Sequence, residues 1–222
     1  MRLPFSDNER PNSWSSKLRR KRVAQFLELI PEGTRSLRIL DVGGSEEAWQ
    51  NIWDARLDRS LITLLNLETK HVSGRFPMTA VIGDVTDLRR FEDREFDLCF
   101  SNSVIEHLGT WTGQQRAAAE MRRVAKGYFV QTPYRYFPLE PHYQVPFWAQ
   151  LPVGLRTALH RRFDLGWMQM QAEQAIARKE VEQIRLLTVA EMQSLFPDAD
   201  VRSERIGPFI KSLIAVRRIE PA

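Results

Sequence analysis

Two short stretches of this chain hold side chains able to move a proton or grip a polar group: Glu106 and His107 in SNSVIEHL, and Glu140 and His142 in FPLEPHY. A carboxylate or imidazole within hydrogen-bonding reach of a hydroxyl can take its proton at neutral pH, so these four are candidates for general-base work. The same residue types suit a divalent metal ion. No local ligand spacing requires one, and no metal is expected. A third stretch, LRILDVGGSEEAW at 37–49, runs from apolar residues into Asp41, two adjacent glycines (Gly43 and Gly44) and a segment headed by Glu46 and Glu47. A strand, a glycine turn and a helix start make the usual cradle for an adenosine-containing ligand, although the dinucleotide fingerprint GxGxxG would need a third glycine.

The elements that must position these residues alternate between strand and helix. Residues 13–30 place Leu18, Val23, Phe26, Leu27 and Ile30 on roughly one face, with Ser13 as cap and Pro31 as stop, which predicts an N-terminal helix. Strands are expected at 37–42, 61–67, 79–83, 96–101 and 128–132. Between them lie a short helix over 46–56, with Trp49, Ile52 and Trp53 inward, and a helix over 114–126 that Thr112 and Gln115 would box and Gly127 would end. After Thr132 the rhythm breaks, with five prolines from Pro133 to Pro152, so 133–187 reads as an inserted helical lid facing the substrate. A helix over TVAEMQSLF and two strands, ADVRSER and KSLIAVRR, then close the chain as an antiparallel pair. The whole, 1–222, predicts one α/β domain: a doubly wound, mostly parallel, seven-stranded Rossmann-like sheet with that terminal pair and the lid insertion.

In such sheets ligands bind beyond the C-terminal ends of the parallel strands. Gly43 and Gly44, Glu68, Asp84 and the run from Ser101 to His107 all stand there. An acid after the second strand can accept from both ribose hydroxyls, and one after the third can contact adenine. Glu46 and Glu47 speak against a pyrophosphate at the helix start, since like charges meet there and the turn holds no lysine or arginine. A sulfonium ligand without phosphate tolerates an acidic rim.

These motifs resemble those of the class I S-adenosylmethionine-dependent methyltransferases, in particular the small-molecule branch, over about residues 37–132. The resemblance implies S-adenosylmethionine as cofactor, with Asp41, Gly43 and Gly44 forming its turn and Gly43 meeting the methionyl part. It places Glu68 at the ribose, Asp84 and Val85 at the adenine, and Asn102 or Ser103 on the methionyl side. His107, Glu106 and His142 become the candidate catalytic residues toward a small-molecule acceptor, expected to be methylated at oxygen. In the family's usual acid-x-GxGxG turn, this chain has Ser45 and Glu47 where glycines stand, and Gly44 is one place out of register. That departure keeps a second reading open: a non-catalytic binding module of the same fold.

Composition bounds the rest. A 43% hydrophobic content over 222 residues supports a packed core, and one cysteine, Cys99, allows no internal disulfide and fits a cytoplasmic setting. No signal-peptide pattern or spanning apolar stretch is expected. Lys and Arg exceed Asp and Glu by 32 to 28; five of the six residues at 17–22 are cationic and could meet phosphate or an anionic membrane surface or form a solvated helix face, the reading preferred. Neither NPPY nor Pro-Cys follows the fourth strand, so nucleic acid is not the expected substrate. Phe147, Trp148, Leu151, Leu155 and Leu159, near Arg156, Arg161 and Arg162, could form an amphipathic face suited to a lipid-linked acceptor or to peripheral membrane contact, or could pack on the lid itself.

Overall fold

The computed structural model describes residues 14–30, 36–50 and 53–219. Ser13, Pro31 and Ile52 lie outside them. Seven strands form one sheet: β1 (Arg38–Val42), β2 (Leu61–Asn66), β3 (Met78–Ile82), β4 (Phe96–Asn102), β5 (Ala125–Pro133), β6 (Asp200–Ile206) and β7 (Phe209–Arg217). Their order across the sheet is β3-β2-β1-β4-β5-β7-β6, parallel from β3 to β5 and antiparallel where β7 joins β5 and β6. The order reverses between β1 and β4, and the strand ends there are level, with Val42 opposite both Leu65 and Ser101. That is the position at which a doubly wound sheet opens a crevice for ligand.

Strand alternation feeds two cores. Leu40, Val42, Cys99, Tyr128 and Val130 point to the face covered by α3 (Trp111–Val124) and α6 (Val189–Leu195). Ile39, Leu98, Phe100 and Phe129 point to the other, where α1 (Trp14–Leu27) contributes Val23, Phe26 and Leu27 and α2 (Glu46–Gln50) contributes Trp49. Both sheet faces are therefore apolar, as central parallel strands require.

Some boundaries differ from the sequence reading. Thr110, not Thr112, caps α3, accepting from the Gly113 N–H at 3.0 Å, because its extended backbone leaves the hydroxyl facing the first free amides. Ala125 and Lys126 belong to β5. Gly127 lies inside that strand, where a Cβ would come within 2.8 Å of the Arg217 carbonyl, so it serves close strand approach rather than helix termination. Of the helix expected over 46–56, Glu46–Gln50 is helical among the described residues, and Ala55–Leu57 form a 3-10 turn capped by Asp54. A capping box of Thr188 and Glu191 starts α6.

The segment after β5 leaves and returns at one point. Tyr134 bridges to Leu187, and the Arg135 N–H donates to the Leu187 carbonyl at 3.0 Å. Between them are a 3-10 turn (Trp148–Gln150), α4 (Val153–His160) and α5 (Gln174–Gln183), around a small core of Tyr143, Trp148 and Val181. Tyr143 and Trp148 stack at 4.2 Å, and His160 Nε2 meets Glu180 at 2.6 Å to join α4 to α5. Of the expected apolar face, Trp148, Leu151 and Leu159 pack into this core, while Phe147 and Leu155 stay exposed. No described helix is long and apolar enough to cross a membrane.

Candidate active site

The two glycines of the first turn answer to different constraints. Gly43 has φ +76°, and a Cβ on it would lie 2.5 Å from Val104 Cγ2, so glycine is needed for both backbone and space. At Gly44 the obstacle is Asp41. The Asp41 carboxyl folds back under the turn, accepts from Trp49 Nε1 at 2.7 Å, and would stand 1.6 Å from a Gly44 Cβ. The displaced glycine is thus the one that admits the acid. Burial pushes Asp41 up to about 7, with the Trp49 hydrogen bond opposing. Asn66, at the end of β2, ties the turn from the other side, donating to the Gly44 carbonyl at 2.9 Å.

A cavity of about 200 Å³ opens on this turn, lined by Val23, Asp41 to Ser45, Ala48, Trp49, Phe100 and Asn102. Its rim is acidic. Glu46 is held below the usual carboxylate range by the Ser73 hydroxyl and N–H, and Glu47 by its own backbone N–H and Ser45. An ionised pair at the helix start fits a cationic adenosyl ligand and repels a pyrophosphate.

The other expected cofactor residues are placed as follows. Glu68 is exposed, two residues beyond β2, while Asn66 takes the position level with the turn. Asp84 is exposed and accepts from the Thr86 N–H and hydroxyl, both at 2.8 Å, closing a local turn. Val85 is buried in the core. Leu67 and Ile82, 74% and 57% exposed, leave apolar surface at the ends of β2 and β3. Asn102 lines the cavity; Ser103 has φ +60° and is fixed to Gln131 by its N–H and hydroxyl, both at 3.0 Å.

Arg22 is the residue that sequence reasoning missed. The run at 17–22 reads as solvated, and Arg20 and Lys21 are exposed, but Arg22 is buried. It pairs with Glu204 at 2.6 Å and donates to Asn102, Gln131 and Ser212 at 3.1 Å, linking α1 to β4, β5, β6 and β7 beside the cavity. Its only signal was that Val23 and Phe26, on the same helix, face inward.

At the acceptor end, a 3-10 turn (Ile105–Leu108) carries Glu106 and His107, and the chain after β5 brings His142 against them. One ligand atom of each lies within 4.8 Å of the others. The His107 and His142 rings meet edge to face at 4.8 Å. Glu140 supports His142: one carboxylate oxygen meets Nδ1 at 2.6 Å and the other accepts from the His142 and Tyr143 N–H groups. Glu106 is fully buried. Its Oε2 accepts from Thr132 at 3.0 Å, while Oε1 has no hydrogen-bond partner among the described residues. Burial pushes Glu106 up to about 7, against the pull of His142. His107 keeps a solvent-exposed edge, but its crowded face and then His142 hold it below the ordinary histidine value. Burial works against the charge on His142, yet the Glu140 carboxylate raises it overall. Two imidazoles and a carboxylate could equally hold a divalent ion, and as free side chains they form a proton-handling group.

A mostly parallel sheet with a glycine turn over a cavity at its switch point, and a histidine–carboxylate cluster following β4, makes a doubly wound fold with its ligand crevice in the usual place. Residues 40–130 match the family model described as a methyltransferase domain. A methyltransferase structure from Methanosarcina mazei is 13% identical, with a TM-score of 0.53 over 88% of this chain and 98% of that one. The 1,6-didemethyltoxoflavin-N1-methyltransferase of Burkholderia thailandensis, solved with S-adenosylhomocysteine, is 12% identical, with a TM-score of 0.55 over 93% and 81%. A putative methyltransferase of Haloferax volcanii, solved with the Trm112 activator, is 12% identical, with a TM-score of 0.54 over 94% and 93%. None of the curated proteins matches the chain. At these identities the structures establish the fold, and the matched segment holds every motif of the first turn and of β4. Residues 40–130 thus carry a methyltransferase domain, on a fold shared with S-adenosylmethionine-dependent methyltransferases.

Proposed function

We propose that this enzyme methylates a hydroxyl oxygen of a small-molecule acceptor, with Glu106 taking the proton. The observation that carries this reading is the buried Glu106 Oε1, without a partner, in a cluster with two histidines. A buried polar oxygen without a partner is costly unless a ligand completes it. A carboxyl pushed up to about 7 is also matched to taking a proton near neutral pH. His107, held below the ordinary histidine value, orients the hydroxyl, and His142, braced by the Glu140 carboxylate, steadies the developing charge.

S-adenosylmethionine, when bound, supplies a methyl group on a cationic sulfur. Around it, Gly43, Gly44 and Asp41 shape the turn, and Asn102 and Ser103 hold the methionyl side. Glu68, with Asn66 beside it, serves the ribose, and Asp84 and Val85 border the adenine. With the cofactor bound, Glu106 Oε1 would take the proton of the acceptor hydroxyl. Residues 133–187 act as a lid inside a single domain, 1–222, and exclude water from the transfer. The fully buried Cys99 accords with a cytoplasmic setting.

A second feature favours an acceptor with an apolar portion. Phe147, Leu155, Phe163 and Met170, all in the lid, are each about half exposed. The binding-module reading rests on Ser45 and Glu47 in place of glycines; the Asp41 carboxyl accounts for the glycine at 44. The test is methyl transfer to a panel of hydroxylated acceptors, followed by mass spectrometry. Transfer to oxygen by the wild type and its collapse in Glu106→Gln are expected. Transfer to nitrogen or carbon at a rate insensitive to Glu106→Gln would overturn the oxygen assignment.

A further inference from the structure

Beside the acceptor cluster, inside the lid, is a second cavity of about 130 Å³ lined by Arg135, Glu140, Trp148, Arg156 and Arg185, with apolar residues between them. It is smaller than the roughly 300 Å³ of a whole-ligand pocket, so it fits one end of a molecule. Its polar lining is dominated by donors. Arg156 Nε and Trp148 Nε1 are both buried and have no hydrogen-bond partner among the described residues. The Arg135 guanidinium lies over the Tyr136 ring at 5.9 Å and, like that of Arg156, makes no ion pair among the described residues. Arg185 is already committed to Glu191 and Gln114. The one acid, Glu140, has both oxygens engaged by His142 and Tyr143. Two uncompensated guanidiniums and one locked carboxylate leave the cavity a net positive charge, and desolvation, with Arg135 adding to it, holds Arg156 below its ordinary value.

We propose that this cavity binds an oxyanion of the methyl acceptor, a carboxylate or a phosphate, through Arg135, Arg156 and Trp148 Nε1. The proposal rests on the methyltransferase reading and narrows its substrate to a hydroxylated anion. Glu140 fixes the geometry: it lines the anion cavity and holds His142, so an anchored anion sets its molecule beside Glu106 and His107. A forked guanidinium suits either oxyanion, and the indole N–H adds a third donor.

The test is thermal denaturation of the full chain with inorganic phosphate or with malonate, at ionic strength held constant with chloride, for the wild type, Arg156→Gln and Arg135→Gln. S-adenosylhomocysteine forms a separate arm. Saturable stabilisation of the wild type by either anion, with affinity reduced tenfold or more in both variants, is expected. Phosphate alone would mark a phosphorylated acceptor and malonate alone a carboxylated one. No saturable effect, or one that survives in either variant, overturns the proposal. Retained stabilisation of the variants by S-adenosylhomocysteine shows that they are folded; its absence in the wild type would instead strike the cofactor reading, independently of the anion result.

Discussion

Replacing Gly44 by alanine should be expensive, and the cost should come from one carboxyl group. The new Cβ would stand 1.6 Å from Asp41 Oδ2, 2.3 Å from Cγ and 2.7 Å from Oδ1, so the whole carboxyl must move. Moving it removes the acceptor of the buried Trp49 Nε1, now bonded at 2.7 Å. Stranding that donor costs about 1–3 kcal/mol, and forcing atoms into a packed site about 1–3 kcal/mol more. With roughly 2–4 °C per kcal/mol for a domain of this size, a loss of about 4 kcal/mol lowers the melting temperature by about 8–16 °C. Gly44 does not adopt a positive φ, so backbone strain adds nothing. The same change made in an Asp41→Ala background should then be nearly neutral, because the obstacle is gone. Melting and urea denaturation of the four proteins of this cycle measure the coupling. Equal cost of Gly44→Ala in both backgrounds, or a drop under about 2 °C in the wild type, would refute the account of the displaced glycine.

Other expectations follow from the site. If Glu106 takes the proton, the rate of transfer rises with pH and levels off above about 7, where its carboxyl is ionised; Glu106→Gln should lower the rate by roughly 10²–10⁴ and abolish that rise. Chelation with EDTA should leave the rate unchanged, whereas a loss restored by added zinc or manganese would reassign the cluster to a metal. Asp41 has a folded value, about 7, above the ordinary carboxylate value of 3.8, so the folded state binds more protons between them and stability falls as pH rises through that window. Asp41→Asn should flatten this part of the stability–pH curve measured by urea denaturation. Arg22→Met leaves the buried Glu204 with Lys211, at 3.7 Å, and the Ser212 hydroxyl, and should cost about 3–5 kcal/mol, part of it recovered by adding Glu204→Gln.

The chain's own pattern determined the layer architecture, because strand and helix periodicity is local: a short apolar run such as FDLCFS, too short for a helix, reads as a buried strand, and the amphipathic stretch before Gly127 reads as a helix with one face inward. It also placed Gly43, Asn102 and Glu106 at strand ends, since the topology of such sheets puts chemistry there. Element boundaries were less legible, as with Thr110 and Ala125, where neighbouring strands compete with the helix for the same residues. What only the tertiary structure decided are the contacts between distant segments. The Asp41 carboxyl lies against Gly44, Arg22 is buried through Glu204, and His142 meets Glu106 and His107 because the lid returns to its point of departure. Within a charge run such as 17–22, the inward-facing Val23 and Phe26 hint at the buried side of the helix but do not say which cation is held there. That depends on a buried partner, Glu204, supplied from the far end of the chain, and pairing at such a distance is set by packing rather than by spacing.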